Sequence, residues 1–147
     1  MNSNNIIDCD ADPFLPISWP DIKRHIKGGM LTWDPGKFEL MSKIKESEEI
    51  TGDQLIEQLN KEESFQFNAN VLEYLVRNQH EIPKEWRGRC ILFPGTIFEF
   101  SRPFWKENRR EWFCVRLLVW HEWGWIPGFR WLGSKFTDYH NVLVYKK

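Results

Sequence analysis

The sequence changes its hydrophobic pattern at Gly88, and this change constrains the fold more than any other feature. Before it, apolar residues recur at helical spacing behind capping residues; Thr51-Gly-Asp-Gln54, for example, has the form of a capping box. After it, β-favouring runs are separated by Gly and Pro. Helices followed by strands predict an α+β domain. We expect short N-terminal helices packed on a mostly antiparallel sheet of about four or five strands.

The helical part is predicted to extend over residues 18–86. Its expected helices share an N-terminal capping residue or a proline in the first turn, and they cover 18–26, 34–45, a segment from Thr51, a segment from Asn68 or Asn70, and one turn at 83–86. Each is short and marginal alone, so packing must hold it.

The β part is predicted to extend over residues 89–145. Strands are expected at 89–93, 96–100, 112–120, 129–132 and 141–145, with a bend at Pro94-Gly95 and a long polar hairpin loop at 101–110. The strand at 112–120 is apolar on both faces, which indicates a central position.

A chain of 147 residues has the length of one domain. We expect a flexible N-terminus at 1–12 and a single domain at 13–147. The N-terminus lacks the charged and apolar regions of a signal peptide, and the apolar run after Phe113 is too short to cross a bilayer. Three widely spaced cysteines, Cys9, Cys90 and Cys114, are typical of buried, reduced thiols. These features predict a cytoplasmic protein with no membrane partner.

Charge divides the chain. Residues 1–85 contain 9 Lys and Arg against 16 Asp and Glu, a net charge of −7, and residues 86–147 contain 11 against 5, a net of +6. The basic part also holds seven of the nine tryptophans. Two explanations stay open: an anionic partner for the basic part, or packing of the two parts on each other.

Two segments of the basic part combine aromatic and cationic residues. The candidate binding residues are Phe104, Trp105, Lys106, Arg109, Arg110, Trp123, Trp125, Arg130 and Trp131. Such a surface predicts a binding domain rather than an enzyme, with a protein or a second copy of the chain as partner. Single-stranded nucleic acid, which stacks on aromatics and pairs its phosphates with cations, is one alternative, and sugar stacking is another. The competing interpretation is that these tryptophans close the ends of the sheet and are core.

Catalytic and metal motifs are weak. Glu99 and Glu122 would be the paired carboxylates of a glycoside-acting protein, but nothing in their spacing brings them together. Cys114 with His121 or His140 would be a dyad, although its strand context favours burial. No Cys or His pair has the spacing of a zinc site and no glycine-rich phosphate loop is present, so no cofactor and no metal are expected.

Four blocks occur in a recognisable order. They are Asn68-Ala-Asn-Val-Leu72, Ile82-Pro-Lys-Glu-Trp86, Gly95-Thr-Ile97 and Val115-Arg-Leu-Leu-Val-Trp120. In this order the chain resembles a family of small uncharacterised bacterial proteins over about residues 12–132, and departs from it at 101–110 and in the last fifteen residues. The resemblance implies a bacterial, cytoplasmic protein and transfers no catalytic residue.

Overall fold

The computed structural model describes residues 5–15, 20–100 and 112–147, except for the side chain of Trp112. Two α-helices are described, α1 (Gly52–Glu62) and α2 (Ala69–Arg77). The strands are β1 (Ile6–Asp8), β2 (Asp21–His25), β3 (Met30–Thr32), β4 (Phe38–Ser42), β5 (Ile50–Thr51), β6 (Cys90–Phe100), β7 (Trp112–His121), β8 (Gly124–Trp131), β9 (Lys135–Phe136) and β10 (His140–Tyr145). Single 3-10 turns occur at Pro35–Lys37, Gln79–Glu81 and Lys84–Trp86.

The main sheet has six strands, in the order β4-β10-β6-β7-β8, and β2 pairs with the second half of β6. All its pairings are antiparallel except that of β10 with β6. Two small sheets, β1 with β3 and β5 with β9, flank it. The α+β prediction therefore holds, but the expected four or five strands were too few because the N-terminal half supplies β2 and β4.

The predicted helix at 18–26 is wrong: Asp21–His25 is a strand that pairs with β6. The predicted helix at 34–45 is also wrong. Asp34 accepts a bond from the Gly36 amide as a cap does, but it starts only a 3-10 turn, and Phe38 is already extended. Phe38 and Leu40 then alternate with more exposed neighbours and pair with β10. Over so few residues an apolar spacing fits either period, and the available sheet edge selects the strand.

The two remaining helix predictions are confirmed. Thr51 accepts from the Gln54 amide at 3.2 Å, and the Gln54 side chain accepts from the Thr51 amide at 2.9 Å, which completes the capping box of α1. Asn68 caps α2 by accepting from the Asn70 amide at 3.0 Å. The predicted turn at 83–86 is the 3-10 turn Lys84–Trp86.

Each face of the main sheet carries its own core. One core packs α2, Trp33, Phe38 and Phe67 on side chains such as Phe93. The other packs α1 on the opposite face, against side chains such as Leu92. Because β6, β7 and β10 are covered on both faces, their sequences are nearly continuous apolar runs.

The expected bend at Pro94-Gly95 is an irregularity inside one strand. The register of β6 against β7 shifts between Phe93 and Ile97. Gly95 donates to the Phe67 carbonyl at 2.8 Å, and its own carbonyl accepts from the Ile26 amide at 2.7 Å. A Cβ on Gly95 would lie 2.4 Å from the Gln66 carbonyl oxygen, so only glycine permits this close approach.

Thr96, fully buried beside this irregularity, connects the sheet to α2. Its hydroxyl accepts from the Ala69 amide at 2.9 Å and lies 2.9 Å from Nδ1 of His25. Because a carbonyl only accepts, Nε2 of His25 donates to the Ala11 carbonyl at 3.0 Å, and in the neutral imidazole Nδ1 then accepts from the Thr96 hydroxyl.

The Asn-Ala-Asn block holds the N-terminal segment against α2. The side-chain amide of Asn68 donates to the carbonyls of Cys9 and Ile26, each at 2.9 Å. The side-chain amide of Asn70 donates to the carbonyls of Asp8 and Ala11 at 3.0 and 2.9 Å. Residues 6–8, inside the segment expected to be flexible, accordingly form β1.

Candidate functional site

Two of the predicted aromatic-basic residues, Trp123 and Trp131, lie at opposite ends of β8. Trp123 sits in the two-residue turn between His121 and Gly124, whereas Trp131 pairs with Cys114 near the start of β7. Eight residues of extended chain separate Trp123 from Trp131 by roughly 25 Å. Trp123 and Trp131 therefore do not belong to one continuous patch.

Five of the candidates, Phe104, Trp105, Lys106, Arg109 and Arg110, lie outside the described residues. The segment that contains them joins Phe100 to Trp112, which are Cα partners at the Trp131 end of the sheet. Its two attachment points are thus distant from Trp123.

Trp125, expected on the surface, is only 3% exposed and belongs to the core beneath α2. It packs edge-on against Trp120 with ring centroids 5.6 Å apart. In β8 alternate residues face opposite sides of the sheet, and Trp125 faces α2. The position of Trp125 therefore agrees with the competing interpretation, in which the tryptophans close the ends of the sheet and belong to the core.

The Arg130 side chain also packs against the interior of the protein. Its guanidinium lies over the Phe136 ring at 4.9 Å and donates to the Lys135 carbonyl. Trp131 is 37% exposed, and its ring covers Gly133, where an added Cβ would lie 2.5 Å from the ring. Both side chains contact the β8–β9 connection, Arg130 half-buried and Trp131 partly exposed.

Trp123 differs from the other described candidates because it is 85% exposed. Its ring stacks on His121, with centroids 6.0 Å apart and planes 15° from parallel. We name residues His121–Gly124, with this stacked pair, the Trp123 turn. Gly124 has a φ of +142°, a conformation that side chains rarely adopt, so glycine closes the turn.

The base of the Trp123 turn is braced from both sides. The Gln79 side chain donates to the Trp125 carbonyl at 3.0 Å and accepts from the Trp125 amide at 2.8 Å. The Arg87 guanidinium lies 4.1 Å from the centre of the Trp120 ring. These contacts anchor the strands on which Trp123 is presented.

The outer edge of β8 is protected against pairing with another strand. Trp125 directs its backbone amide and carbonyl away from β7, and both are occupied by Gln79. Pro127, next on the same side, has no amide hydrogen. Both devices are typical of edge strands that do not accept a further strand.

The candidate catalytic pairs are not brought together. Glu99 pairs with Phe113, whereas Glu122 lies beyond the far end of β7, so roughly 25 Å of strand separates them. Glycosidase carboxylates lie about 5–9.5 Å apart. The pair Glu99 and Glu122 therefore cannot perform this chemistry within one chain.

Cys114 is remote from both of its candidate bases, because His140 pairs with Cys90 and Cys90 pairs with Val119, at the other end of β7 from Cys114. Cys114 lies seven residues of strand from His121, about 23 Å. All three cysteines are buried, as predicted, and burial raises the pKa of Cys90 to about 12. His140 has its ring Nδ1 3.0 Å from the Thr137 amide, which donates to it. Among the residues at 5–15, 20–100 and 112–147, no group of three His, Cys, Asp or Glu could hold a metal.

Sequence reasoning missed Gln79 and Arg87, the two residues that brace the Trp123 turn. Neither belongs to a motif, because each contacts a residue distant in the chain: Gln79 bonds Trp125, 46 positions later, and Arg87 covers the Trp120 ring. Only the packing of the segment after α2 against β7 and β8 reveals them.

Comparison with known proteins does not add to this picture: no family model, no curated protein and no solved structure matches the chain. Neither described helix has the length and apolar run needed to cross a bilayer.

Proposed function

We propose that this chain is a non-enzymatic binding domain that recognises a partner protein by inserting Trp123 into an apolar pocket of that partner. The observation that carries the proposal is the 85% exposure of Trp123 at the end of a braced hairpin. Tryptophan is enriched at binding hot spots, and an exposed tryptophan without a partner adds apolar surface in water.

Preorganisation supports the proposal. Trp123 stacks on His121, and the strand after it is held by Gln79. A side chain already confined to one orientation loses less conformational entropy when it binds. The blocked edge of β8 favours recognition through side chains over addition of a strand.

Charge favours a protein over nucleic acid. Glu122 adjoins Trp123, and the Arg87 guanidinium is already engaged with Trp120. Single-stranded nucleic acid binds where aromatics are interleaved with cations that can reach phosphates. The basic residues of 104–110 lie outside the described residues, so the proposal rests on Trp123. We place this binding in the cytoplasm, where three buried thiols stay reduced.

The proposal is tested with peptides selected by display on the intact protein. Their dissociation constants are measured by fluorescence anisotropy for the wild type, Trp123→Ala and Met30→Ala, the last being an exposed apolar control on β3. Loss of a hot-spot tryptophan is expected to weaken binding by about 30-fold or more, with Met30→Ala unchanged.

Three results would contradict the proposal. Selected peptides that bind Trp123→Ala as well as the wild type would remove Trp123 from the site. Tryptophan quenching by a short oligonucleotide, lost steeply as salt rises, would favour nucleic acid. Salt-insensitive binding of an oligosaccharide that needs Trp123 would favour sugar. Sedimentation of wild type and Trp123→Ala tells whether the partner is a second copy.

A further inference from the structure

A cleft of about 540 Å³ opens at the β4 edge of the main sheet. It lies between β4, β10 and the segment that follows α1, and its lining includes Met41, Lys43, Phe65, Tyr145, Lys146 and Lys147. This volume is within the range of about 300–1,000 Å³ in which small-molecule sites fall.

Aromatic rings form the floor and walls of the cleft. Phe67, buried in the core, lies between Phe65 and Tyr145, with ring centroids 4.9 and 5.3 Å away. Phe65 is 42% exposed and Tyr145 is 50% exposed. Tyr145 also contacts Phe38, which stacks on Trp33, so the exposed rings continue an aromatic column from the core. Such rings present flat apolar surface to a planar ligand.

Positive charge surrounds the cleft. Lys146 and Lys147 are exposed, and the described residues place no carboxylate within ion-pair distance of either. Glu39 is the one acidic side chain among the described residues that line the cleft. Lys43 pairs with Glu62 at 3.0 Å, and this pair ties the end of β4 to α1.

The Lys43 wall is rigid. The Gln58 side chain donates to the Glu62 carboxylate at 3.1 Å and to the Lys43 carbonyl at 3.2 Å. The hydrogen bond from Gln58, followed by Lys43, lowers the pKa of Glu62. The partly neutralised Lys43 thus shapes the cleft, and Lys146 and Lys147 supply its attraction for anions.

We propose that this cleft binds a small molecule that consists of a planar ring carrying one anionic group. The ring packs against Phe65 and Tyr145, and the anion contacts Lys146 and Lys147. The inference is independent of the proposed function, since β4 and β8 are opposite edges of the sheet, about 19 Å apart. A nucleoside monophosphate and an aromatic carboxylate both have this chemistry.

The test is titration of the full chain with adenosine 5′-monophosphate and with 2-naphthoate, followed by amide NMR shifts. Adenosine and inorganic phosphate are the control ligands. Shifts are expected at Met41, Val144 and Tyr145 and not at Trp123. If only one compound binds, it identifies the ligand class, nucleotide or aromatic acid. Either result supports the proposal that the cleft is a binding site.

Variants separate the contributions of charge and ring. Lys146→Gln with Lys147→Gln is expected to weaken both compounds roughly fivefold, while Lys45→Gln with Lys135→Gln, exposed lysines outside the cleft, changes nothing. Phe65→Leu is expected to weaken binding roughly tenfold, as loss of ring stacking does. Phe14→Leu, a matched exposed ring outside this cleft, is expected to leave binding unchanged.

The proposal is overturned if neither compound shifts the cleft amides at about 1 mM, a weak affinity for a small site. It is also overturned if inorganic phosphate binds as tightly as the ring compounds, or if both double lysine variants reduce binding equally.

Discussion

Gln79 makes with Trp125 the two hydrogen bonds that a neighbouring strand would make: its amide donates to the Trp125 carbonyl and accepts from the Trp125 N–H. The side chain belongs to the turn after α2, so the edge of β8 is closed by a residue 46 positions earlier in the chain. Removing that side chain exposes two backbone groups at once.

We expect Gln79→Ala to lower the free energy of unfolding by about 1–2 kcal/mol, because both groups on Trp125 lose their partner. Amide exchange at Trp125 should accelerate. Gln79→Glu keeps the acceptor and loses the donor, so it should destabilise while Trp125 stays protected. Unchanged Trp125 exchange in Gln79→Ala would refute this role.

Truncation of Trp125 should lower the stability of the fold strongly, whereas truncation of Trp123, two positions earlier, should hardly change it. Trp125→Ala removes a buried ring and should cost about 3–5 kcal/mol in urea denaturation. Trp123→Ala should change stability by no more than about 0.5 kcal/mol, since the ring is almost fully exposed. Comparable losses would mean that Trp123 is structural and would weaken the binding proposal.

The Thr96 hydroxyl is expected to stabilise the junction of β6 with α2. Thr96→Val removes the acceptor of the Ala69 amide and the partner of His25, and should destabilise by about 1–3 kcal/mol. Thr96→Ser keeps the hydroxyl and should recover most of that loss in thermal denaturation. A lower midpoint for the serine variant than for the valine variant would show that the methyl group, and not the hydroxyl, matters.

His140 should make stability fall in acid. Burial, and then the charge of Arg130, lower its pKa. The unfolded chain therefore binds the proton more tightly, and the contribution of neutral His140 is present above pH 6.5 and lost as pH falls below it. Urea midpoints between pH 7 and 5 measure this slope. His140→Gln should flatten it.

The buried thiols should resist labelling. Burial raises the pKa of Cys90 to about 12 and that of Cys9 to about 11, which leaves almost no thiolate at neutral pH. Because the folded state holds these protons more tightly, their contribution to stability is lost as pH rises above about 9. A thiol reagent should react slowly in native buffer and fast in urea. Rapid native labelling would reveal an accessible, activated cysteine.

Local signals in the sequence determined those elements whose hydrogen bonds close within a few residues. The capping box at Thr51 and the Asn68 cap each predicted a helix that the structure contains. The β-favouring runs after Gly88 predicted strands there, but not the strands that precede Gly88. The burial of Cys90 and Cys114 followed from apolar strands.

Only the tertiary structure decided the rest, because it depends on partners distant in the chain. Asp21–His25 and Phe38–Ser42 became strands since β6 and β10 offered them backbone partners, which outweighed a weak helical spacing. The same aromatic-basic pattern separated into buried Trp125, inward-directed Arg130 and exposed Trp123 because strand alternation and the Gln79 contact assign each a different environment. The composition gives the number of tryptophans, but only the packing of the folded chain decides which of them is exposed to water.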